Sequence, residues 1–153
     1  MMSYRILIPI LLSCFFISCS SDNFSEEENE LSQARIKWNN AQIENYKWTE
    51  ILSCECSGPL QRDIFVVNNV KDSVDFDESL LFEGYTGEDV FNASKTIEET
   101  FDFIQDLINQ NVSSLAVEYD DTYGFPTLIS IDYDVNFIDD EILYRYINFE
   151  IEN

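Results

Sequence analysis

The chain has 153 residues, with 30 acidic side chains against 8 basic ones, a formal net charge of −22 and no histidine. So acidic a surface repels phosphate backbones and anionic lipid heads, which argues against nucleic-acid binding. Without histidine there is no Ser-His-Asp or Cys-His catalysis and no histidine proton shuttle, and most zinc or copper sites are excluded.

Met1–Arg5 carries one positive charge and Ile6–Ile17 is almost wholly apolar. A short basic start before an apolar run of about 7–15 residues predicts a secretory signal peptide. The run is too short to cross a bilayer as a helix, which takes about 20 residues. Phe16-Ile17-Ser18-Cys19 resembles the lipobox of bacterial lipoproteins, with phenylalanine where leucine is usual. The resemblance implies that residues 1–18 are a lipoprotein signal peptide and that Cys19 becomes the lipid-modified N-terminus, carrying acyl chains such as palmitate. Several acyl chains hold a protein firmly, because each buried methylene contributes ~0.8 kcal/mol. Residues 19–30, few of them apolar and many acidic, are expected to form a flexible tether. An acidic run after the lipidated cysteine also resembles the export signal of Bacteroidota-type surface lipoproteins. The expected address is therefore the cell envelope, lipid-anchored to the outer membrane through Cys19 and facing outward or inward. Residues 31–153 are then long enough for one domain with its own core.

In that domain, Leu31, Ala34, Trp38 and Ala41 recur at helical spacing and predict a helix over 31–45. The period then falls to two. Tyr46, Trp48, Leu52, Cys54 and Cys56 share one side of a strand, and Lys47, Thr49, Ser53 and Glu55 the other, until Gly58-Pro59 ends it. Strands at 63–67 and 70–76 are expected to form a hairpin about Asn68-Asn69, since asparagine tolerates positive φ. Pairing Val67 with Val70 places Phe65, Val74 and Phe76 on one face. Leu80–Phe91 has no clean period and reads as loop.

Thr96-x-x-Glu99 is a capping box. It opens a helix whose stripe is Ile97, Phe101, Ile104 and Ile108, with Phe103 and Leu107 alongside, and which ends at Asn109–Asn111. Three strands follow at 115–119, 127–134 and 142–151, the first two joined by a turn in which Gly124 is free to take an unusual φ. The fold class predicted is α+β: an antiparallel sheet with helices packed on one face, in the order α-β-β-β-α-β-β-β.

Cys54-Glu55-Cys56 puts two sulfurs on one side of a strand, and thiols outside the cytoplasm tend to oxidise. The pair is a candidate disulfide, read either as a structural staple or as a redox-active bridge; no basic residue flanks it to stabilise a thiolate. Asp132-x-Asp134-x-Asn136 resembles the first half of an EF-hand calcium loop, but Phe137 stands where glycine makes the sharp turn and Leu143 where the bidentate glutamate belongs. A different calcium site drawing on Asp139, Asp140 or Glu141 competes with the simpler reading of a solvated turn. Tyr119, Tyr123, Phe125, Tyr133, Tyr144 and Tyr146 suit either a ligand-binding face or strand packing.

Several blocks occur in a set order: Trp38; Tyr46-x-Trp48; Cys54-x-Cys56; Thr96-Ile97-x-x-x-Phe101-Asp102-x-Ile104; Tyr119-Asp120-x-x-Tyr123-Gly124-x-Pro126-Thr127-x-Ile129-x-Ile131-Asp132-Tyr133; and Asp139-Asp140-Glu141. Together they resemble the domain-of-unknown-function family 6174, whose members commonly follow lipoprotein signals. Glu55 departs from the aromatic often found between the two cysteines, and Asn69 from the glycine often found in the hairpin. The resemblance covers about residues 38–149 and implies architecture and address, with no catalytic residue or cofactor to carry over. The expectation is a non-enzymatic binding or structural module of the bacterial envelope, with no cofactor and with an unidentified protein or glycan partner. The alternatives are a redox or metal-assisted envelope enzyme and a secreted protein inhibitor.

Overall fold

A computed structural model describes residues 26–55, 58–134, 136–137 and 140–152. Among these the elements run α1 (Glu26–Ala41), β1 (Tyr46–Ser53), β2 (Gln61–Val67), β3 (Val70–Phe76), a 3-10 turn (Glu78–Leu80), α2 (Gly87–Ala93), α3 (Ile97–Gln110), β4 (Ser114–Tyr119), β5 (Pro126–Asp132) and β6 (Ile142–Ile151). The strands form one antiparallel sheet in the order β3-β2-β1-β6-β5-β4. Two three-stranded meanders thus lie side by side, joined through the first and last strands. The α+β expectation holds, with α2 added.

α1 and α3 bury their apolar stripes on one face of the sheet. Leu31, Ala34 and Trp38 come from α1, and Ile97, Phe101, Ile104 and Leu107 from α3; they meet Tyr46, Trp48, Ile64, Val66, Ile129, Ile131 and Tyr146 of the strands. Aromatic rings fill the centre. Trp48 stacks on Tyr146 with centroids 4.2 Å apart, and Phe125 lies 4.4 Å from Phe149. Phe149 reaches this cluster because Asn148 takes a φ of 53° where β6 shifts register against β1. The extra residue turns the following side chain back to the helix-covered face.

Four elements differ from the sequence reading. α1 starts at Glu26, inside the run expected to be tether. Its first turn is Glu26, Glu27 and Glu28, and carboxylates there favour the positive end of the helix dipole. β1 stops at Ser53, before the two cysteines, with the Leu52 N–H donating to the Leu60 carbonyl at 2.6 Å one step beyond the Ile51–Gln61 pair. The 67–70 hairpin forms as expected, with Asn68 and Asn69 both at positive φ. A register shift between Phe65 and Val66 then pairs Ile64 with Val74 and Phe65 with Ser73. A one-residue shift flips every side chain beyond it, so Phe65 lies on the face opposite Val74 and Phe76. Finally, the segment read as loop contains the 3-10 turn and α2. Thr86 and Asp89 cap α2 reciprocally, and seven residues are too few to show a 3.6-residue period.

Candidate functional site

Cys19, Cys56 and Asp139 lie outside the described residues. Cys54 follows β1 directly, half-buried, and is disulfide-bonded. In the acidic loop the carboxylates already serve the turn. Asp134 Oδ1 accepts the Asn136 backbone N–H at 3.0 Å and its side-chain amide at 2.7 Å, and Asp140 Oδ2 accepts the Asp134 N–H at 2.9 Å. The Asn136 hydrogen bonds hold the Asp134 carboxyl below the usual range, the backbone bond contributing most. Desolvation, then the charges of Asp140, Glu141 and Asp134, push Asp132 above it. Among the described residues no group of three or more Asp, Glu, Cys or His side chains is placed to hold a metal ion.

The candidate aromatic face does not assemble. Phe125 and Tyr146 are buried, Tyr119, Tyr123 and Tyr144 pack against the core, and only Tyr133 of this set is exposed. Strand packing accounts for the group.

The sequence reading passed over a polar cluster beneath the sheet's helix-covered face. Glu50 lies opposite Arg62 across β1 and β2, and Arg62 Nε sits 2.7 Å from Glu50 Oε1 with side chains 7% and 1% exposed. Arg62 also donates to Ser94 Oγ at 3.5 Å. Lys71, opposite Val66 on β3, donates to the Ser94 carbonyl and rests over the Phe91 ring. Lys95 Nζ lies 4.7 Å from the Phe103 centroid. Burial lowers the Lys95 pKa; Glu50 draws it back up and Arg62 opposes that. Burial, reinforced by Glu50, pushes Tyr144 up to about 12 and Tyr146 well above its ordinary value. Arg62 thus pairs with one sealed carboxylate and Lys95 feels its charge, while Lys71 lies 3.9 Å from Glu99. The signal was present in the sequence: Glu50 has the same parity as Tyr46 and Trp48, and Arg62 the same parity as Ile64 and Val66.

A second feature is a groove. Among the described residues β4 is an edge strand, and three adjoining cavities run along it beside α1. They measure about 540, 220 and 520 Å³ and share Glu27, Leu115, Glu30, Val117 and Tyr119 between neighbours. Half-buried Leu115 and Val117 of β4 lie in the floor, over the buried Ile104 and Leu107 of α3, and the α1 wall carries Glu26, Glu27 and Glu30. Burial, then the Glu30 charge, pushes the Tyr119 hydroxyl above its usual pKa. The groove closes where Gly124 meets Ala34 and Lys37, and the Lys37 ammonium donates to the Asp121 carbonyl at 2.9 Å. Neither the helical period nor the strand alternation marks this groove, because it is formed by the spacing between two elements distant in sequence.

Residues 30–151 match DUF6174, a family of unknown function. The chain belongs to DUF6174. No curated protein and no solved structure matches it. The DUF6174 match covers both meanders and α1 from Glu30 onward, and so the β4 side of the groove, while Glu26 and Glu27 of its α1 wall lie before the matched residues.

Proposed function

We propose that this DUF6174 chain is a lipid-anchored, non-enzymatic binding module of the bacterial envelope, tethered at Cys19 and capturing a protein partner with its folded domain. The observation that carries the binding role is the groove that, among the described residues, lies between α1 and the edge strand β4, with Leu115 and Val117 in its floor. The anchoring rests on the signal-like residues 1–18 and the lipobox at Cys19. Two facts support a role without chemistry. The chain has no histidine to activate a nucleophile, and Glu50 and Arg62 are sealed from solvent.

The test is the intact mass of the chain purified from its native membrane, before and after reduction and alkylation. The expected product begins at an acylated Cys19 and exposes alkylatable thiols only after reduction. A chain retaining residues 1–18 overturns the anchor. Thiol-exchange activity abolished by Cys54→Ser overturns the non-enzymatic reading in favour of a redox bridge.

A further inference from the structure

On the reading of the domain as a binding module, we propose that β4 accepts a seventh strand: an extended, basic segment of a partner protein that pairs with the free edge and lays its side chains along α1. A sheet edge presents unpaired N–H and C=O groups, and main-chain pairing to such an edge is a recurrent way of capturing extended peptides.

The two edges of this sheet are built differently. β3 carries Lys71, Asp72 and Asp75 and shifts register against β2 between Phe65 and Val66, and charges and bulges of this kind are what block edge pairing. β4 is Ser-Leu-Ala-Val-Glu-Tyr. It has no proline, its single charge is Glu118, and its register against β5 is regular from Ser114 to Glu118. Among the described residues, the edge left unguarded is the one flanked by the groove.

The groove also selects its occupant. Alternate side chains of an added strand would point to the helix-covered face, above Leu115 and Val117, where the wall is Glu26, Glu27 and Glu30. Lysine or arginine fits both parts, since the aliphatic stem covers apolar floor while the charged head reaches the carboxylates. Among the described residues no basic one lines the first two cavities, and at the closed end Lys37 is already bonded to Asp121. Six residues of β4 span roughly 20 Å, so a segment of about six to eight residues fills the edge.

The experiment titrates a fluorescent (Lys-Val)4 peptide into the purified full chain, with (Glu-Val)4 and a (Lys-Val)4 N-methylated on alternate amides as controls. Amide hydrogen exchange locates the complex. The expected result is saturable binding of (Lys-Val)4 alone and slowed exchange at the amides of β4 but not β3. Glu27→Lys with Glu30→Lys should weaken binding about tenfold, while Asp72→Lys with Asp75→Lys should leave it unchanged. Equal binding of the N-methylated peptide would reduce the interaction to charge adsorption and overturn the proposal, as would protection at β3 or none at β4. A failure here with acylated Cys19 still present in the mass spectrum removes this mode of capture and leaves the anchored module standing.

Discussion

Glu50 and Arg62 are the most consequential single residues in the sheet, because their charges lie in the core with few partners. Taking two charges out of water costs several kcal/mol per ion, and their mutual attraction offsets this only when they are well placed. At 2.7 Å with both side chains sealed, removing one partner strands the other. Arg62→Met is expected to destabilise the fold by about 3–5 kcal/mol, read as a lowered denaturation midpoint with an unchanged slope. The double variant Glu50→Leu with Arg62→Met should recover most of that loss, since an apolar pair can fill the same space without a desolvation cost. If the double variant is no more stable than Arg62→Met, the pair is instead fixed by the surrounding Ser94, Lys95 and Tyr146 as one network. Glu98 shows the same economy at lower stakes: its carboxylate accepts the Trp38 indole N–H at 2.8 Å and the Tyr46 hydroxyl at 3.2 Å. One residue in the first turn of α3 thereby joins α1, β1 and α3, and its negative charge also suits that helix end.

Elements were legible in the sequence where their signal was local. Thr96 and Glu99 cap α3 reciprocally, and Asn68-Asn69 turns the first hairpin, because caps and tight turns are decided within a few residues. α2 escaped because two helical turns show no periodicity and its cap partner is Asp89 rather than the usual glutamate or glutamine. Phe65 was placed on the wrong face because a bulge leaves no mark in an alternating pattern. Strand parity turns Glu50 and Arg62 inward, but that they face each other, like the β4 groove, depends on tertiary neighbours. Gly124 falls between these cases. Its positive φ was readable from the turn, but its packing was not: a Cβ there would stand 2.5 Å from the Ala34 carbonyl oxygen and 3.0 Å from Lys37 Cβ. Gly84 also has positive φ, yet a Cβ would meet nothing within 4 Å. Gly84→Ala is therefore expected to cost about 1 kcal/mol, the backbone strain alone. Gly124→Ala should add about 1–3 kcal/mol of overpacking against α1. Equal midpoints for the two variants in urea would mean that α1 yields freely to the β4–β5 turn.

Across the whole molecule, charge is the dominant imbalance. Thirty acids face eight bases, and several bases are already committed: Arg35 to Asp102 at 2.8 Å, Lys47 to Glu150 at 3.2 Å, and Arg62 to Glu50 at 2.7 Å. The remaining carboxylates repel one another over the surface, which works against the compact state. Because β1 and β6 pair at the centre of the sheet, each meander depends on the other, so this repulsion is felt by one cooperative structure. Added salt screens it, the Debye length falling from about 30 Å at 0.01 M to about 10 Å at 0.1 M. The exposed pairs lose little in exchange, since each contributes about 1 kcal/mol or less, and the sealed Glu50–Arg62 pair is scarcely screened. The melting temperature should therefore rise steadily from low to moderate sodium chloride. A fall would mean that attraction among the surface pairs outweighs the net negative charge. Calcium and magnesium at matched ionic strength separate this general effect from a specific one. Equal shifts are expected, because Asp134 and Asp140 are already engaged in their own turn. A larger shift with calcium, lost in Asp132→Asn, would instead place a cation between Asp132 and Asp140, where two carboxylate oxygens are shielded from solvent without hydrogen-bond donors.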